Sequence, residues 1–465
     1  MKKEISKVVL IASTGLLLQS CFVAKEYKRP ELKTEETYRS TIVAQDSTTM
    51  SDLSWNQVFK DQLLQNYINE GIQNNYDLQI ATQNIVAAQS YMKQGKAGYL
   101  PNVTMGATWT HQEFSKNSQF GRLFNGGLDQ YEIGPKISWE ADIWGKIRSN
   151  KRATNASYLQ TIAATQAVQS QIVTNIASVY FQLMSMDAQL KVAEQTMENR
   201  TKSIEIIKAL KEGGSVNEVG VKQTEAQKYA TQIIIEDLKF NINLLENSLS
   251  VLLGRNPGKV ERNTLDSQVI DAPITSGVPA KLLSNRPDLI AAEYSLINAF
   301  EMTNVARSNF YPSLTISGTG GLQSVELKNW FSANSLFANI VTGLSAPLWN
   351  QRNIRTQNEV AKSNQQKAFL QYEKTLLTAS KEVSDALASY TNETNKLVIR
   401  EQQVDALKKA ASYSDELLNY GMVNYLEVLT AKDNALNSEL SLIDNKYKQL
   451  NAVIDLYRAL GGGWK

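Results

Sequence analysis

Two hydrophobic rhythms run along the chain and separate helical from strand-like parts. Ile172, Ile176, Val179, Leu183, Met186, Leu190, Ala193 and Met197 recur at spacings alternating between four and three, and Ile235, Leu238, Ile242, Leu245, Leu249 and Leu252 do the same further on. That is the period of a coiled-coil seam, so it predicts two helices packed antiparallel as a hairpin. Their other faces are rich in Gln, Asn, Ser, Thr and Lys, which excludes membrane-spanning helices. The second rhythm has period two. Val103, Met105, Ala107 and Trp109 alternate with Thr104, Gly106, Thr108 and Thr110, and Tyr131, Ile133, Ile137, Trp139 and Ala141 with Glu132, Gly134, Lys136, Ser138 and Glu140. Leu314 and Ile316, then Ile340, Leu344, Ala346 and Leu348, repeat the arrangement later. Such alternation marks strands with one apolar and one polar face, either of a soluble sandwich or, at about ten residues each, tilted across an outer membrane. Four strands cannot close, and open edges in hydrocarbon leave backbone groups unsatisfied at several kcal/mol each. A membrane sheet would need two chains for about eight strands or three for about twelve.

The whole pattern occurs twice. Asp77-Leu78 and Asp288-Leu289 each precede a proline, Pro101 and Pro312, by 24 residues from the aspartate, an offset of 211 between copies. Ala81 matches Ala292, Ala88 Ala299, Lys96 Arg307, Tyr99 Phe310 and Thr104 Thr315. Further on, Ile147-Arg148 matches Ile354-Arg355, Asn217 matches Asn424, and Leu253-Gly254 matches Leu460-Gly461, all at an offset of 207. A constant offset over such a length marks packed helices, which do not accept the insertions that loops do.

Helix breakers delimit these helices. Residues 146–212, 221–253, 349–420 and 422–460 contain neither Gly nor Pro, and the breaks between them are Gly213-Gly214 to Gly220 and Gly421. Each half therefore reads as a very long helix, a tight turn and a shorter helix, the 67 residues of 146–212 spanning roughly 100 Å. The nine prolines leave 136–256 and 348–465 clear, and Pro135 and Pro347 fall at matching places in the second strand of each pair.

Charge and chemistry narrow the function. A net charge of +2 provides no field to gather nucleic acid. One Cys and one His exclude an intramolecular disulfide and a zinc site of His/Cys type. His111 has no Cys or His partner, no phosphate-binding glycine loop occurs, and the acidic residues are spread along helix faces. These features point away from an enzyme, a cofactor or a bound metal. Lys2, Lys3 and Lys7, the apolar run Val8 to Leu18 and Ser20 before Cys21 form a secretory signal too short to span a membrane. Leu18-Gln19-Ser20-Cys21 resembles a bacterial lipobox, in which cleavage leaves an acylated amino-terminal cysteine; the alternative is a secreted protein with a free thiol. Two or three acyl chains, at ~0.8 kcal/mol per buried methylene, anchor a protein stably.

These residues resemble the outer membrane efflux proteins of the TolC type, in their OprM/NodT lipoprotein branch. The resemblance covers nearly all of the mature chain. It is carried by Tyr27-Lys28-Arg29-Pro30, by Trp55, Phe59, Asp61, Leu64 and Asn75-Tyr76-Asp77-Leu78, and by Trp139-Glu140-Ala141-Asp142-Ile143-Trp144-Gly145-Lys146-Ile147-Arg148. Arg286-Pro287-Asp288-Leu289 with Ala292-Glu293, Tyr420-Gly421 with Tyr425-Leu426-Glu427-Val428-Leu429, and Leu456 through Trp464 complete it in the same order.

The resemblance implies a mainly α protein with transmembrane β-strands, a trimer whose 12-stranded β-barrel in the outer membrane continues into a 12-helix α-barrel through the periplasm. It implies a passive duct exporting small molecules, with a periplasmic adaptor and an inner membrane pump, often of the resistance-nodulation-division class, as partners. Leu426 and Glu427 fall at its periplasmic gate, while Thr430 stands where other members place a second acid. The other reading is a periplasm-spanning coiled-coil lipoprotein without a pore. On this view 1–20 is a lipoprotein signal peptide, 21–75 an N-terminal equatorial segment, 76–258 the first repeat and 285–465 the second, with 259–284 an equatorial linker. Within the repeats the strand pairs cover about 102–142 and 313–348, and the hairpins about 145–254 and 351–461. Replacing Cys21 with Ser should abolish acyl labelling in cells without loss of folding; continued labelling of the variant refutes this anchor.

Overall fold

In a computed structural model, which describes residues 23–30, 50–122, 127–268, 270, 274 and 279–465, the period-two segments are strands and the seam segments helices. In chain order the elements are α1 (Trp55–Val58), α2 (Gln62–Asn74), α3 (Tyr76–Ala97), β1 (Asn102–Gln112), β2 (Leu128–Ala141), α4 (Lys146–Glu212), α5 (Glu218–Leu252), α6 (Pro279–Asn285), α7 (Pro287–Ser308), β3 (Ser313–Ser324), β4 (Leu336–Ser345), α8 (Asn353–Asn419) and α9 (Tyr425–Ala459). The duplication shows in their lengths: α3 and α7 have 22 residues each, α4 and α8 67, α5 and α9 35. Two compact units result, one from Met1–Glu31, Ile85–Thr161 and Ala292–Tyr372, the other from Leu32–Asn84, Ile162–Ala291 and Glu373–Lys465.

The second unit is helical and carries the seam. Ile172, Ile176, Leu183 and Ala193 are buried on α4, Ile235, Leu238, Ile242 and Leu249 on α5, and Ala193 packs directly with Ile235 and Leu238. Val179, Met186, Leu190, Met197, Leu245 and Leu252 are half-buried. Phe59 meets Phe181 and Tyr457 edge to face, ring centroids 6.4 and 6.0 Å apart. Burial pushes the Tyr457 phenol up to about 12, and its hydroxyl donates to the Leu53 carbonyl at 3.0 Å. Asp61 caps α2 through the N–H groups of Leu63 and Leu64 and accepts from Tyr180, Asn263 and Gln268. Burial works to raise its pKa, but these donors outweigh it and hold the carboxylate below its usual value.

Each return helix ends on the start of a short helix by the same device. Asn75 accepts from the N–H groups of Asp77 and Leu78 and donates Nδ2 to the Leu252 carbonyl at 2.9 Å. At the equivalent place Arg286 donates to the Ala459 carbonyl at 3.0 Å and pairs with Asp288 and Glu382. Beside them Gly254 and Gly461, at φ +70° and +92°, lie where a Cβ would run into the carbonyls of Asn74 and Asn285. Gly220, expected to belong to the turn, lies inside α5, because Asn217 caps that helix and starts it at Glu218.

In the first unit Val23–Pro30 runs extended along α7. Arg307 donates to the Val23 carbonyl, Lys25 and Asn304 exchange two hydrogen bonds of 3.2 and 2.9 Å, Tyr27 meets the Phe300 ring edge-on, and Arg29 forms two 2.6 Å bonds with Glu293. Between β2 and α4 the Asp142 carboxylate accepts the Ile147 and Arg148 N–H groups at 2.8 Å each, and Gly145 turns the chain at φ +75°. Trp144 stacks on Tyr311 and donates to the Pro312 carbonyl at 2.7 Å. The second copy differs. β4 stops at Ser345, so Ala346, Pro347 and Leu348 lie beyond the strand expected to include them, and α8 begins only at Asn353. Gln351 and Arg352 at φ 54° and 67° take the turn that Gly145 takes in the first copy.

The strands form one antiparallel sheet in the order β1-β2-β3-β4. Its register gathers most of the apolar side chains on one face, through pairs such as Val103 with Ile137, Trp139 with Ile316 and Leu314 with Leu344, with the His111–Asp129 pair and Thr342 as polar exceptions there, while Thr104 with Lys136 and Ser138 with Ser317 lie on the other. Pro135 sits inside the central strand β2. Opposite β1 it faces Met105, but toward β3 the ladder skips from Ile133–Leu322 to Lys136–Thr319. Proline has no N–H to donate, and the gap is filled by backbone approach, since a Cβ on Gly134 would collide with the Gly320 carbonyl and one on Gly321 with that of Ile133. Gly106, in contrast, has open space where its Cβ would be. Gly134→Val should therefore destabilise the sheet by about 1–3 kcal/mol, read as a lower urea midpoint for the heat-modifiable folded band, whereas Gly106→Val should match the parent. Equal midpoints for the two variants refute this account of the gap.

Candidate functional site at the helix-hairpin tips

The chemistry-bearing end of the helical unit is where α4 turns into α5 and α8 into α9. Both long helices stop by one motif. Ser215 and Met422 donate their N–H to Leu210 and Leu417, and Gly214 and Gly421, at φ +77° and +70°, donate to Lys211 and Leu418. Only glycine takes this left-handed cap at no steric cost. Asn217 and Asn424 then cap the return helices through their side chains.

A small core ties the tips together. Ile207 of α4, Val221 of α5 and Tyr425, Val428 and Leu429 of α9 are buried against one another, with Leu210, Val216, Leu418 and Val423 around them. Burial raises the Tyr425 phenol above its ordinary value, moderated by its hydrogen bond with Thr224. About two turns further in along α4, Arg200 is only 7% exposed and pairs with Asp433 of α9 while donating to the Gln227 carbonyl of α5. No local signal in the sequence marks this pair, whose partners are 233 residues apart.

Leu426 and Glu427 both sit in the first turn of α9. Leu426 is 54% exposed beside the buried Tyr425. The Glu427 N–H donates to the Asn424 side chain at 3.1 Å, and Asn424 Nδ2 donates back to the Glu427 carboxylate at 3.2 Å. The carboxylate thus lies at a helix N-terminus, where negative charge is favoured. The Thr430 hydroxyl donates to the Leu426 carbonyl at 2.9 Å, so it is engaged within its own helix. Between the tips lies a cleft of about 1050 Å³ to which Val219, Tyr420, Met422 and Leu426 contribute exposed apolar surface. Cys21 lies outside the described residues.

This arrangement sets exposed apolar side chains beside one carboxylate, that of Glu427, at the tip. The model of the family described as outer membrane efflux protein matches residues 67–255 and 278–462, and the chain belongs to that family. It is 27% identical over 458 residues to the cation efflux system protein CusC of Escherichia coli O6:H1, covering 97% of each chain. It is also 27% identical over 412 residues to the solvent efflux pump outer membrane protein SrpC of Pseudomonas putida, covering 88% of this chain and 87% of that one. A crystal structure of CusC matches with a TM-score of 0.84 at 26% identity, covering 95% of this chain and 99% of the other. The chain is an outer membrane efflux channel component, and the pore-less scaffold reading falls away.

Because Arg200 joins α4, α5 and α9, removing its counter-charge should loosen the tip. Asp433→Ala leaves a buried guanidinium without a counter-charge, its bonds to Gln227 remaining, and should cost about 2–4 kcal/mol, with faster hydrogen exchange over 418–430 than in the parent protein. An unchanged exchange rate there contradicts the role given to this pair.

Proposed function

We propose that three copies of this chain form a lipid-anchored export duct, with a 12-stranded barrel in the outer membrane and a 12-helix tunnel extending into the periplasm. The observation that carries this reading is the sheet: its apolar face is uncovered, with Met105 71%, Trp109 64% and Ile340 77% exposed, and it ends on β1 and β4 with no further strand beside either among the described residues. Hydrocarbon suits that face, and only closure with other copies satisfies the edges. Two further surfaces support it. Tyr229, Ile233, Phe240, Leu244 and Val251 form an exposed apolar stripe on α5 away from the hairpin seam, and Leu348 and Trp349 are almost wholly exposed after β4. Both suit contact with a neighbouring copy. No described helix is long and apolar enough to cross a membrane.

Cys21 supplies the acyl anchor, and the tips are where a periplasmic adaptor docks and where an inner membrane pump, of the resistance-nodulation-division class, delivers cargo. Residues 259–284 serve the equatorial belt between the repeats. Leu426 and Glu427 close the periplasmic end, and Thr430 leaves a single acidic ring there. The duct performs no catalysis. Its cargo class does not carry over from relatives, because two at 27% identity are named for cations and for solvents.

Purified protein in planar bilayers should run as a cross-linkable trimer with low resting conductance. Leu426→Ala combined with Glu427→Gln, which removes the charge but keeps the cap, should raise open conductance several-fold. A monomer that never conducts, with or without these substitutions, overturns the proposal.

A further inference from the structure

The loop between β3 and β4 folds back on the sheet, Trp330 Nε1 donating to the Leu322 carbonyl. Two short turns, Leu327–Asn329 and Ala333–Ser335, shape it. Ser335 Oγ donates to the Asn329 carbonyl at 2.7 Å, Asn329 Nδ2 donates to Glu326 at 2.7 Å, and the Trp330 ring lies 5.6 Å from Tyr131. The loop is thus pre-shaped by its own bonds rather than by a ligand.

Under it lies a cavity of about 490 Å³ lined by Gln130, Gln323, Asn329, Ser332, Asn334 and Ser335, with Ser324 and Val325 at its edge. None of these residues is charged. Gln323 faces Glu132 in the ladder and Gln130 faces Thr110, so both glutamines project from the polar face. Both are half-buried, and neither carboxamide has a hydrogen-bond partner among the described residues. The Asn334 carboxamide is likewise free, its backbone N–H being the group that bonds Ser332 Oγ. The glutamines belong to the two inner strands, so pairing of β1 or β4 with another chain does not fill the space between them.

Three unpaired carboxamides and a hydroxyl around a space of this size have a definite preference. Each carboxamide offers a donor and an acceptor side by side, which matches neighbouring hydroxyls on a sugar ring. The volume falls within the ~300–1,000 Å³ of small-ligand sites. The lining offers no cation to pair with an anion, and Glu132 lies opposite Gln323 in the ladder, so an anionic ligand would meet like charge there. We propose that this cavity binds a neutral saccharide. The glycan can come from an outer-leaflet glycolipid or from a glycosylated cargo in transit; the recognition chemistry is the same, and it depends on the sheet and loop rather than on the trimer.

The test uses the purified full-length protein in detergent, titrated with maltotriose and, separately, with a neutral, phosphate- and Kdo-free outer core oligosaccharide of lipopolysaccharide, and followed by saturation-transfer NMR. Millimolar binding is expected, weakened at least tenfold by Gln130→Ala with Gln323→Ala and by the loop variant Asn334→Ala, which leaves the strands untouched. Binding of the core oligosaccharide alone assigns the site to the glycolipid, and binding of maltotriose, alone or with it, assigns it to passing saccharides. Absence of both up to about 20 mM, where even a Kd near 10 mM would show, or binding unchanged in the variants that retain the heat-modifiable fold, overturns the proposal.

Discussion

The backbone hydrogen bonds at the two edges of the sheet govern everything else in this molecule. β2 and β3 are paired on both sides, while β1 and β4 are paired on one. In water such edges are tolerable; in hydrocarbon each unsatisfied group is expensive. If the sheet lies in hydrocarbon as proposed, the chain is committed to partners, and its helices inherit that commitment. The α5 stripe and the uncovered Leu348-Trp349 segment belong to the same requirement, expressed in side chains instead of backbone. The defect that Pro135 introduces is confined to the inner ladder, where facing glycines close the gap.

A second constraint is length. Two hairpins that serve one tip must end at one level, and a single inserted residue rotates a helix face by about 100°. The 67- and 35-residue helices of both repeats match, and the four stops are glycines at φ +70° to +92° in all four cases. The contact of Asn75 with Leu252 recurs as Arg286 with Ala459, although the side chains share little chemistry. What has been kept is a donor for the last carbonyl of the return helix, and the second copy adds ion pairs to reach it.

Much of this was legible before the structure. Seam positions such as Ile176, Leu183, Leu238 and Ile242 declare themselves by period, and strand faces by alternation, because local sequence alone decides which side of an element is apolar. Boundaries were less legible. Gly220 reads as a breaker, yet an asparagine three residues earlier already caps the helix, and capping outweighs the modest penalty of a first-turn glycine. Pro347 reads as the twin of Pro135, but two non-glycine residues in left-handed conformation follow it, which no propensity would favour. Long-range partners were not legible at all. Arg200 with Asp433, the donors converging on Asp61 and the glutamines under the β3–β4 loop come together only through the register of whole elements.

The segment Val23–Pro30 has a mechanical meaning. It lies antiparallel to α7 and holds it at Arg307, Asn304, Phe300 and Glu293, so a pull on its amino-terminal end runs along the helix axis. Contacts loaded that way share the force and must slip together, whereas contacts loaded crosswise open one at a time like a zipper. The strap is thus arranged as a lap joint, strongest in the direction in which a tether ahead of Val23 would draw it.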